Sequence, residues 1–253
     1  MLLAVDVGNT NINFAVFKSE RIIKKFSVPT AAFAFSTLYK KLGKLKIEDC
    51  IVSSVVPPVN AGLEKILKKI SGRAPYMLGK NIRVPVKNLY RKPGQVGQDR
   101  LVNSYAGIKL FGAPVVIVDF GTAVTFDVVS RKGDYLGGMI LPGLGISLSA
   151  LAERTALLPR VKLKKPAEFI GRDTENSMLS GIIYGFASLT DELARRIKLK
   201  IGRRALVLGT GGNIGLISGY CRCFDKVDTD LTLKGLNLIY RKQNLRKELK
   251  NAR

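Results

Sequence analysis

The sequence of 253 residues contains no histidine. This absence excludes histidine triads, histidine general bases and histidine metal ligands. Any acid or base that this chain uses must therefore be an aspartate, glutamate, lysine, tyrosine or cysteine.

Cysteine is scarce as well, and only Cys50, Cys221 and Cys223 occur. Three unevenly placed cysteines do not form a disulfide framework in a chain of this size. Cys221 and Cys223 also lack the further cysteines or histidines that would complete a zinc site, so we interpret them as thiols without a chemical role. This usage fits a reduced, cytoplasmic setting.

Long apolar runs are missing too. The run at 115–118 ends at Asp119, whereas a membrane-spanning helix needs about 20 apolar residues. The N-terminus has no basic lead-in and meets Asp6 after a short apolar stretch, unlike a signal peptide. We therefore expect a cytoplasmic protein that has no membrane partner.

Acidic residues are few, since 19 Asp and Glu stand against 42 Lys and Arg, which gives a formal charge of +23. Such a charge attracts nucleic acid, membrane surfaces or small polyanions such as ATP. The basic residues recur along the whole chain, which favours a solvated basic surface over a dedicated nucleic-acid groove. A nucleic-acid-binding regulator nevertheless stays open as an alternative function.

What the chain does contain is one pattern twice. Residues 2–17 (LLAVDVGNTNINFAVF) and 115–129 (VVIVDFGTAVTFDVV) each join an apolar run to a second strand through an Asp-x-Gly turn. A repeat separated by nearly half the chain suggests duplicated α/β domains rather than a solenoid. We predict one domain over 1–113 and another over 114–253, as two lobes with a cleft between them.

The segments outside the repeats predict further elements. Periodicity indicates helices at 61–70, 147–158, about 175–198 and after Thr232. A strand at 205–208 runs into a third glycine-rich loop at 209–212, which would give a nucleotide access to the backbone.

The first turn, from Asp6 to Thr10, is suited to phosphate. Gly8 lets the backbone approach a ligand closely, Asn9 and Thr10 supply donors to phosphate oxygens, and Asp6 can hold a magnesium ion through water. The alternative is an ordinary hairpin turn, which the same residue types favour. The second turn at 119–122 strengthens the phosphate hypothesis, because two such turns can hold a metal-bound triphosphate from both sides.

A further carboxylate, Asp99, lies in the segment GQDR (97–100) at the start of an amphipathic helix. Aspartate is a favoured helix cap, which is one interpretation. The other is that Asp99 accepts a hydroxyl proton while Arg100 binds an anionic part of the substrate. In either case the helix N-terminus is expected to favour the ionised carboxylate.

The chain resembles the type III pantothenate kinases through an ordered series of motifs: DVGNT (6–10), GQDR (97–100), DFGTAVTFD (119–127), GGMILPG (137–143), GRDT (171–174), LGTGG (208–212) and DLTLKGL (230–236). The resemblance covers almost the whole chain. It implies an α/β fold of two ribonuclease-H-like domains, in the superfamily of acetate and sugar kinases and actin, with the nucleotide cleft between them. It also implies that a homodimer phosphorylates pantothenate with ATP, Mg²⁺ and a monovalent cation (K⁺ or NH₄⁺), the first step towards coenzyme A.

The same resemblance implies residue roles. Asp99 corresponds to the proton acceptor and Asp119 to the ligand of the monovalent cation. The ATP contacts correspond to Asp6, Val7, Gly8, Asn9, Thr10, Asn11, Ile12, Asn13 and Thr122. The pantothenate contacts correspond to Tyr90, Gly97, Gln98, Asp99, Arg100 and Thr174, the last near the dimer interface. A kinase of the same superfamily with another small hydroxyl acceptor stays open as an alternative, and no specific nucleic-acid partner is expected.

Overall fold

The computed structural model describes residues 1–33 and 35–251, without the side chains of residue 35 and of residues 246–251. The strands are β1 (Leu2–Val7), β2 (Asn11–Lys18), β3 (Arg21–Pro29), β4 (Asp49–Ser54), β5 (Tyr76–Met77), β6 (Val115–Phe120), β7 (Ala123–Val129), β8 (Tyr135–Pro142), β9 (Leu206–Thr210) and β10 (Lys226–Val227). The helices are α1 (Phe35–Leu42), α2 (Pro57–Ser71), α3 (Gln98–Phe111), α4 (Leu144–Arg154), α5 (Thr174–Ile201), α6 (Ile214–Ile217) and α7 (Leu231–Asn251). None of the described helices combines the length and apolar character that a bilayer crossing requires.

The strands form two sheets with the same topology. The first has the order β3-β2-β1-β4-β5, and the second, read from the other edge, has the order β8-β7-β6-β9-β10. In each sheet an antiparallel three-stranded meander is extended by parallel strands, β4 beside β1 and β9 beside β6. The duplicated α/β pattern in the sequence therefore corresponds to a duplicated sheet.

The central strands of both sheets are apolar because both of their faces are covered. Residues 2–5 of β1 and 115–118 of β6 are buried throughout. The core of the first sheet includes Leu63 and Leu67 of α2. That of the second includes Ile183 and Ala187 of α5.

By its contacts, the chain divides into two compact units. The first unit comprises residues 1–86, 94–106 and those from Leu231 onwards, and the second comprises 87–93 and 107–230. Helix α7 belongs to the first unit because it packs on β1 and β4, where Tyr240 donates a hydrogen bond of 2.6 Å to Asp49. The division into domains 1–113 and 114–253 stays a prediction. It cuts the chain at a single point, whereas the contacts group segments that are distant in sequence, such as 94–106 and α7, into one unit.

The predicted helices are present with shifted ends. The segment predicted at 147–158 is helical over Leu144–Arg154, because Thr155 has an extended backbone (φ −130°, ψ 152°) that ends the helix. The long helix predicted from about 175 to 198 runs over Thr174–Ile201, where Gly202 ends it.

Candidate active site

Asp6 lies near the carboxyl end of β1 in the first unit, with neighbours on both sides in the sheet. Its register partners are Asn13 on antiparallel β2 and Ser53 on parallel β4. Because residues in register on adjacent strands are about 5 Å apart and point to the same face, these three polar side chains form a row. Asn13 donates a side-chain hydrogen bond to the Asp6 carboxylate.

The turn after Asp6 is a tight hairpin. The Gly8 N–H donates to the Asn11 carbonyl at 3.0 Å. Thr30, which follows β3, makes two hydrogen bonds to this turn. The Thr30 hydroxyl donates to the Gly8 carbonyl at 2.7 Å, and the Thr30 N–H donates to the Thr10 carbonyl at 2.9 Å. The side chains of residues 9–11 are exposed at the tip. The segment is thus a hairpin turn whose polar tip remains open to a ligand, and the sequence contained no signal for Thr30.

Asp99 is the second residue of α3, which begins at Gln98, so Asp99 is not the helix cap and the capping interpretation is wrong. Its Oδ1 is buried, and no described residue provides it with a hydrogen-bond partner. Burial raises the pKa of Asp99, while the Arg100 N–H and guanidinium act in the opposite direction. The N–H groups at the helix N-terminus do favour the ionised form, but the loss of hydration on burial outweighs them, so the pKa of Asp99 is raised.

Gly97 allows this position of the Asp99 carboxylate. A Cβ atom on Gly97 would lie 2.4 Å from Asp99 Oδ1, closer than any van der Waals contact allows. The GQDR motif therefore needs glycine at its first position for a steric reason, because the carboxylate of the residue two positions later approaches it closely.

Asp6 and Asp99 interact electrostatically within the first unit. Burial and, to a smaller extent, the negative charge of Asp99 raise the pKa of Asp6, and although the hydrogen bond from Asn13 opposes both, the pKa is about 7. Two further buried oxygens in this unit, Ser53 Oγ and Asn60 Oδ1, have no hydrogen-bond partner among the described residues. Negative charge and unpaired oxygens are thus concentrated in the first unit, where a cation or a donor would be stabilised.

The second unit repeats the arrangement around Asp119. This residue is near the end of β6, and its register partners are Thr125 on β7 and Thr210 on β9. A Cβ atom on Gly211, which has φ 97°, would lie 2.3 Å from Asp119 Oδ1. The side chain of Thr122 is exposed at the turn between β6 and β7.

The remaining predicted substrate residues also belong to the second unit. The Tyr90 N–H donates to Asn88 Oδ1 at 2.9 Å, and the Tyr90 ring is 6.4 Å from that of Tyr135. Thr174 opens α5 directly after its cap Asp173, and it lines a cavity of about 650 Å³ together with Leu158 and other residues. Tyr90 and Thr174 are therefore in a different unit from residues 97–100.

The residues that are present fit the ions that the resemblance implies. No described group of three or more Cys, Asp or Glu residues could hold a metal ion by itself. Mg²⁺ in phosphoryl-transfer sites is commonly held by one or two carboxylates together with the phosphates, and Asp6, whose pKa is raised by burial and by Asp99, is a carboxylate that a cation would stabilise. Asp119 supplies a carboxylate whose Oδ1 lies close to Gly121 and Gly211, and carboxylate oxygens are ligands that hard cations prefer.

Comparison with known proteins gives consistent results. The family model described as type III pantothenate kinase matches residues 2–196. A protein of that name from Moorella thermoacetica is 39% identical over 250 residues, covering 95% of this chain and 98% of the relative. Another from Geobacter sulfurreducens is 40% identical over 250 residues, with the same coverage of both chains.

Solved structures show that the fold is shared more widely. An activator of 2-hydroxyisocaproyl-CoA dehydratase from Clostridium difficile, with bound ADPNP, has a TM-score of 0.56 at 12% identity and covers 99% of this chain and 97% of that chain. A glucokinase from an Antarctic psychrotroph has a TM-score of 0.51 at 13% identity and covers 95% of this chain and 98% of that chain. Together with the two equivalent sheets, these similarities confirm the predicted α/β fold with two ribonuclease-H-like domains.

Proposed function

The chain belongs to the type III pantothenate kinase family, and we infer that it transfers the γ-phosphate of ATP to the primary hydroxyl of pantothenate. The observation that carries this inference is 39% identity to a kinase of that name over 95% of the chain. Neither alternative, a nucleic-acid-binding regulator or a kinase with another acceptor, is favoured by a relative of comparable identity.

Asp99 is the proton acceptor in this proposal. The transition state of phosphoryl transfer is loose, so the protein mainly positions groups and stabilises charge, and a modest base is sufficient. The buried Oδ1 of Asp99 has no hydrogen-bond partner among the described residues, which supports a role as acceptor for a substrate hydroxyl. Its raised pKa makes it a stronger base than an ordinary aspartate.

The ATP phosphates bind to the turn at residues 6–13 and to Thr122. The exposed polar side chains at 9–11 and the Gly8 backbone support this role. Asp6 would hold Mg²⁺ through water, and the ion would neutralise charge at the phosphates. Asp119 would hold the monovalent cation, K⁺ or NH₄⁺, whose charge would add to that neutralisation.

Pantothenate binds to the GQDR segment, with Gln98 and the buried Arg100 beside Asp99, and to Tyr90 and Thr174. Arginine suits the carboxylate of pantothenate because its guanidinium can donate two parallel hydrogen bonds. Gly97 keeps the Asp99 carboxylate in place.

A second copy of this chain covers the apolar surface next to Thr174. Phe169 and Ile170, which are adjacent in sequence, expose 65% and 74% of their surface, and Leu157 exposes 92%. Exposed apolar surface of this kind marks interaction sites. This exposure supports the homodimer. Light scattering tests it: Ile170→Asp should give a monomer, whereas Leu199→Asp, at a leucine that is 52% exposed near the end of α5, should leave a dimer.

A cytoplasmic location is supported by the three free cysteines Cys50, Cys221 and Cys223, none of which forms a disulfide. Burial raises the pKa of the Cys50 and Cys221 thiols to about 12, so they are poor nucleophiles.

The decisive experiment supplies purified protein with Mg²⁺, ATP and K⁺ and with pantothenate as the sole acceptor. Mass spectrometry should detect phosphopantothenate together with an equal amount of ADP. Glycerol, glucose and acetate serve as competing acceptors in parallel reactions. If ADP were released with one of these compounds and not with pantothenate, that compound would be the acceptor and the assignment of pantothenate would be wrong.

A further inference from the structure

Asp127 is the last residue of the motif at 119–127, and none of the roles described above uses it. It is a fully buried carboxylate on β7, with 0% of its surface exposed. A buried carboxylate is costly unless hydrogen bonds or charges compensate for its lost hydration. Its position in the fold therefore calls for an explanation.

Two hydroxyl groups donate to the two oxygens of Asp127. The Tyr135 hydroxyl donates to Oδ1 at 2.9 Å, and the Thr125 hydroxyl donates to Oδ2 at 3.1 Å. Thr125 is also the register partner of Asp119. The carboxylate thus connects the strand position opposite Asp119 to a buried tyrosine on β8.

Tyr135 in turn holds the segment that carries Tyr90. The Tyr135 N–H donates to the Lys87 carbonyl at 2.8 Å, and the Leu89 N–H donates to the Tyr135 carbonyl at 2.9 Å. The centroid of the Tyr90 ring lies 6.4 Å from that of the Tyr135 ring. A Cβ atom on Gly137 would lie 3.3 Å from the Tyr90 ring. Tyr135 thus contacts the segment that carries Tyr90 through its backbone and the Tyr90 ring through its side chain.

We propose that Asp127 is a positioning residue for acceptor binding, because it fixes the Tyr135 hydroxyl and thereby the Tyr90 ring that contacts pantothenate. This inference rests on the proposed function for the identity of the acceptor. The chain of contacts from Asp127 to Tyr90 lies entirely within the second unit and does not depend on it.

The test compares pantothenate and ATP kinetics in Asp127→Asn and Tyr135→Phe. Asparagine keeps the size of Asp127 but replaces one acceptor oxygen by a donor, and phenylalanine removes only the tyrosine hydroxyl. Each substitution leaves the other buried polar group without its partner, which predicts a KM for pantothenate about 10-fold to 100-fold higher. The KM for ATP should change by less than about twofold, since the turn at 6–13 is untouched.

Thr190→Val is the matched control for a merely structural effect. Thr190 is also fully buried in the second unit, and its hydroxyl donates to the Phe186 carbonyl at 2.7 Å. This variant should lower the melting temperature without changing the KM for pantothenate. If Asp127→Asn and Tyr135→Phe behave like Thr190→Val, the positioning role is overturned.

A double-mutant cycle with Tyr90→Ala shows whether Asp127 acts through Tyr90. In that background Asp127→Asn should add less than about a twofold change in the KM for pantothenate, because the group that it positions is gone. Full additivity of the two effects would overturn the proposal.

A spectroscopic measurement keeps this inference separate from the proposed function. The chain has no tryptophan and eight tyrosines, so near-ultraviolet circular dichroism reports mainly on tyrosine packing. Asp127→Asn should change this spectrum in the ligand-free protein, and the Tyr90→Ala background should reduce the change. If the wild-type protein does not bind pantothenate but the variants show this coupling, pantothenate is not the substrate, while the positioning of Tyr90 by Asp127 still holds. Absence of the coupling would refute the positioning role whatever the substrate.

Discussion

The two units carry the same sheet order and the same aspartate position, yet the surroundings of the two aspartates differ. Asp6 in the first unit interacts with a second carboxylate, Asp99, and its pKa is raised to about 7. Asp119 in the second unit has threonines as its register partners on both sides. One backbone arrangement thus places a carboxylate at the end of a strand, and its neighbours decide which chemistry the carboxylate serves.

The glycines beside Asp99 and Asp119 differ in a comparable way. A Cβ atom on Gly97 would approach only side-chain atoms, those of Asp99 and Val55. A Cβ atom on Gly211 would meet Asp119 Oδ1 and also the backbone of Phe120 at 2.6 Å, and its φ of 97° is unfavourable for other residues. The second loop is therefore more rigidly constrained than the first.

Asp99→Asn should lower turnover more than any other variant, and it tests whether the proton acceptor belongs to the first unit. A neutral amide cannot accept the hydroxyl proton, so turnover should fall by about 10²–10⁴-fold. The melting temperature should not fall, because the amide fits the same space and removes a partly desolvated charge. Asp191→Asn, at a carboxylate that accepts from the Arg222 and Cys223 N–H groups, is the control and should stay active. Retention of more than about a tenth of the rate would remove Asp99 from the base role.

Asp119→Asn should produce the next largest effect and tests whether cation binding belongs to the second unit. Loss of the carboxylate should weaken ATP binding by about 10–100-fold and flatten the dependence of the rate on K⁺. Titrations of ATP in K⁺ and in Na⁺ buffers measure both quantities. A wild-type enzyme that is equally active in the two buffers would count against the cation assignment.

Gly211→Ala and Gly97→Ala form a pair that tests the difference in rigidity. Gly211→Ala should lower the free energy of unfolding by about 1–3 kcal/mol, since it forces a strained backbone and a backbone contact. Gly97→Ala should leave stability almost unchanged and lower kcat, because only the Asp99 side chain has to move. Thermal unfolding and turnover on the same preparations separate the two effects, and equal losses of stability would contradict the comparison.

Asp6→Asn should change the pH dependence of stability and tests whether the Asp6 carboxylate in the first unit is destabilised by burial and by Asp99. The pKa of Asp6 is about 7 in the folded protein, above its ordinary value of 3.8, so the folded state binds a proton more tightly than the unfolded state. Stability should therefore decrease as the pH rises from about 4 to about 7. Asparagine removes this penalty, so in metal-free buffer its melting temperature should exceed that of the wild type at about pH 8 and by less at about pH 5. If the melting temperatures of the two proteins differ equally at both pH values, the ionised Asp6 carboxylate does not destabilise the folded state.

The local elements were well predicted because their signals are local. Apolar runs closed by Asp-x-Gly indicated the two hairpins, and both were found, as β1 with β2 and β6 with β7. The helix predicted at 147–158 ended earlier because a single residue, Thr155, adopts an extended backbone. Such a choice depends on tertiary contacts that periodicity does not contain.

The candidate site was predicted only in part. Motif order singled out Asp6, Asp99 and Asp119 as candidates, but it did not show that burial raises the pKa of Asp99, because burial cannot be read from a helix start. Thr30 and Tyr135 were missed, since each acts through a contact with a residue distant in sequence. The role of Tyr135 stays a prediction, which Tyr135→Phe tests.

The sequence by itself determined the duplication, the apolar central strands and the positions of the carboxylates, because each depends on residues that are adjacent along the chain. Tertiary structure alone decided that α7 packs on the first sheet, that Gly97 and Gly211 press against carboxylates, and that Asp127 is buried beneath Tyr135. These features are contacts between segments, and their free energies come from desolvation and close packing, which exist only once the chain has folded.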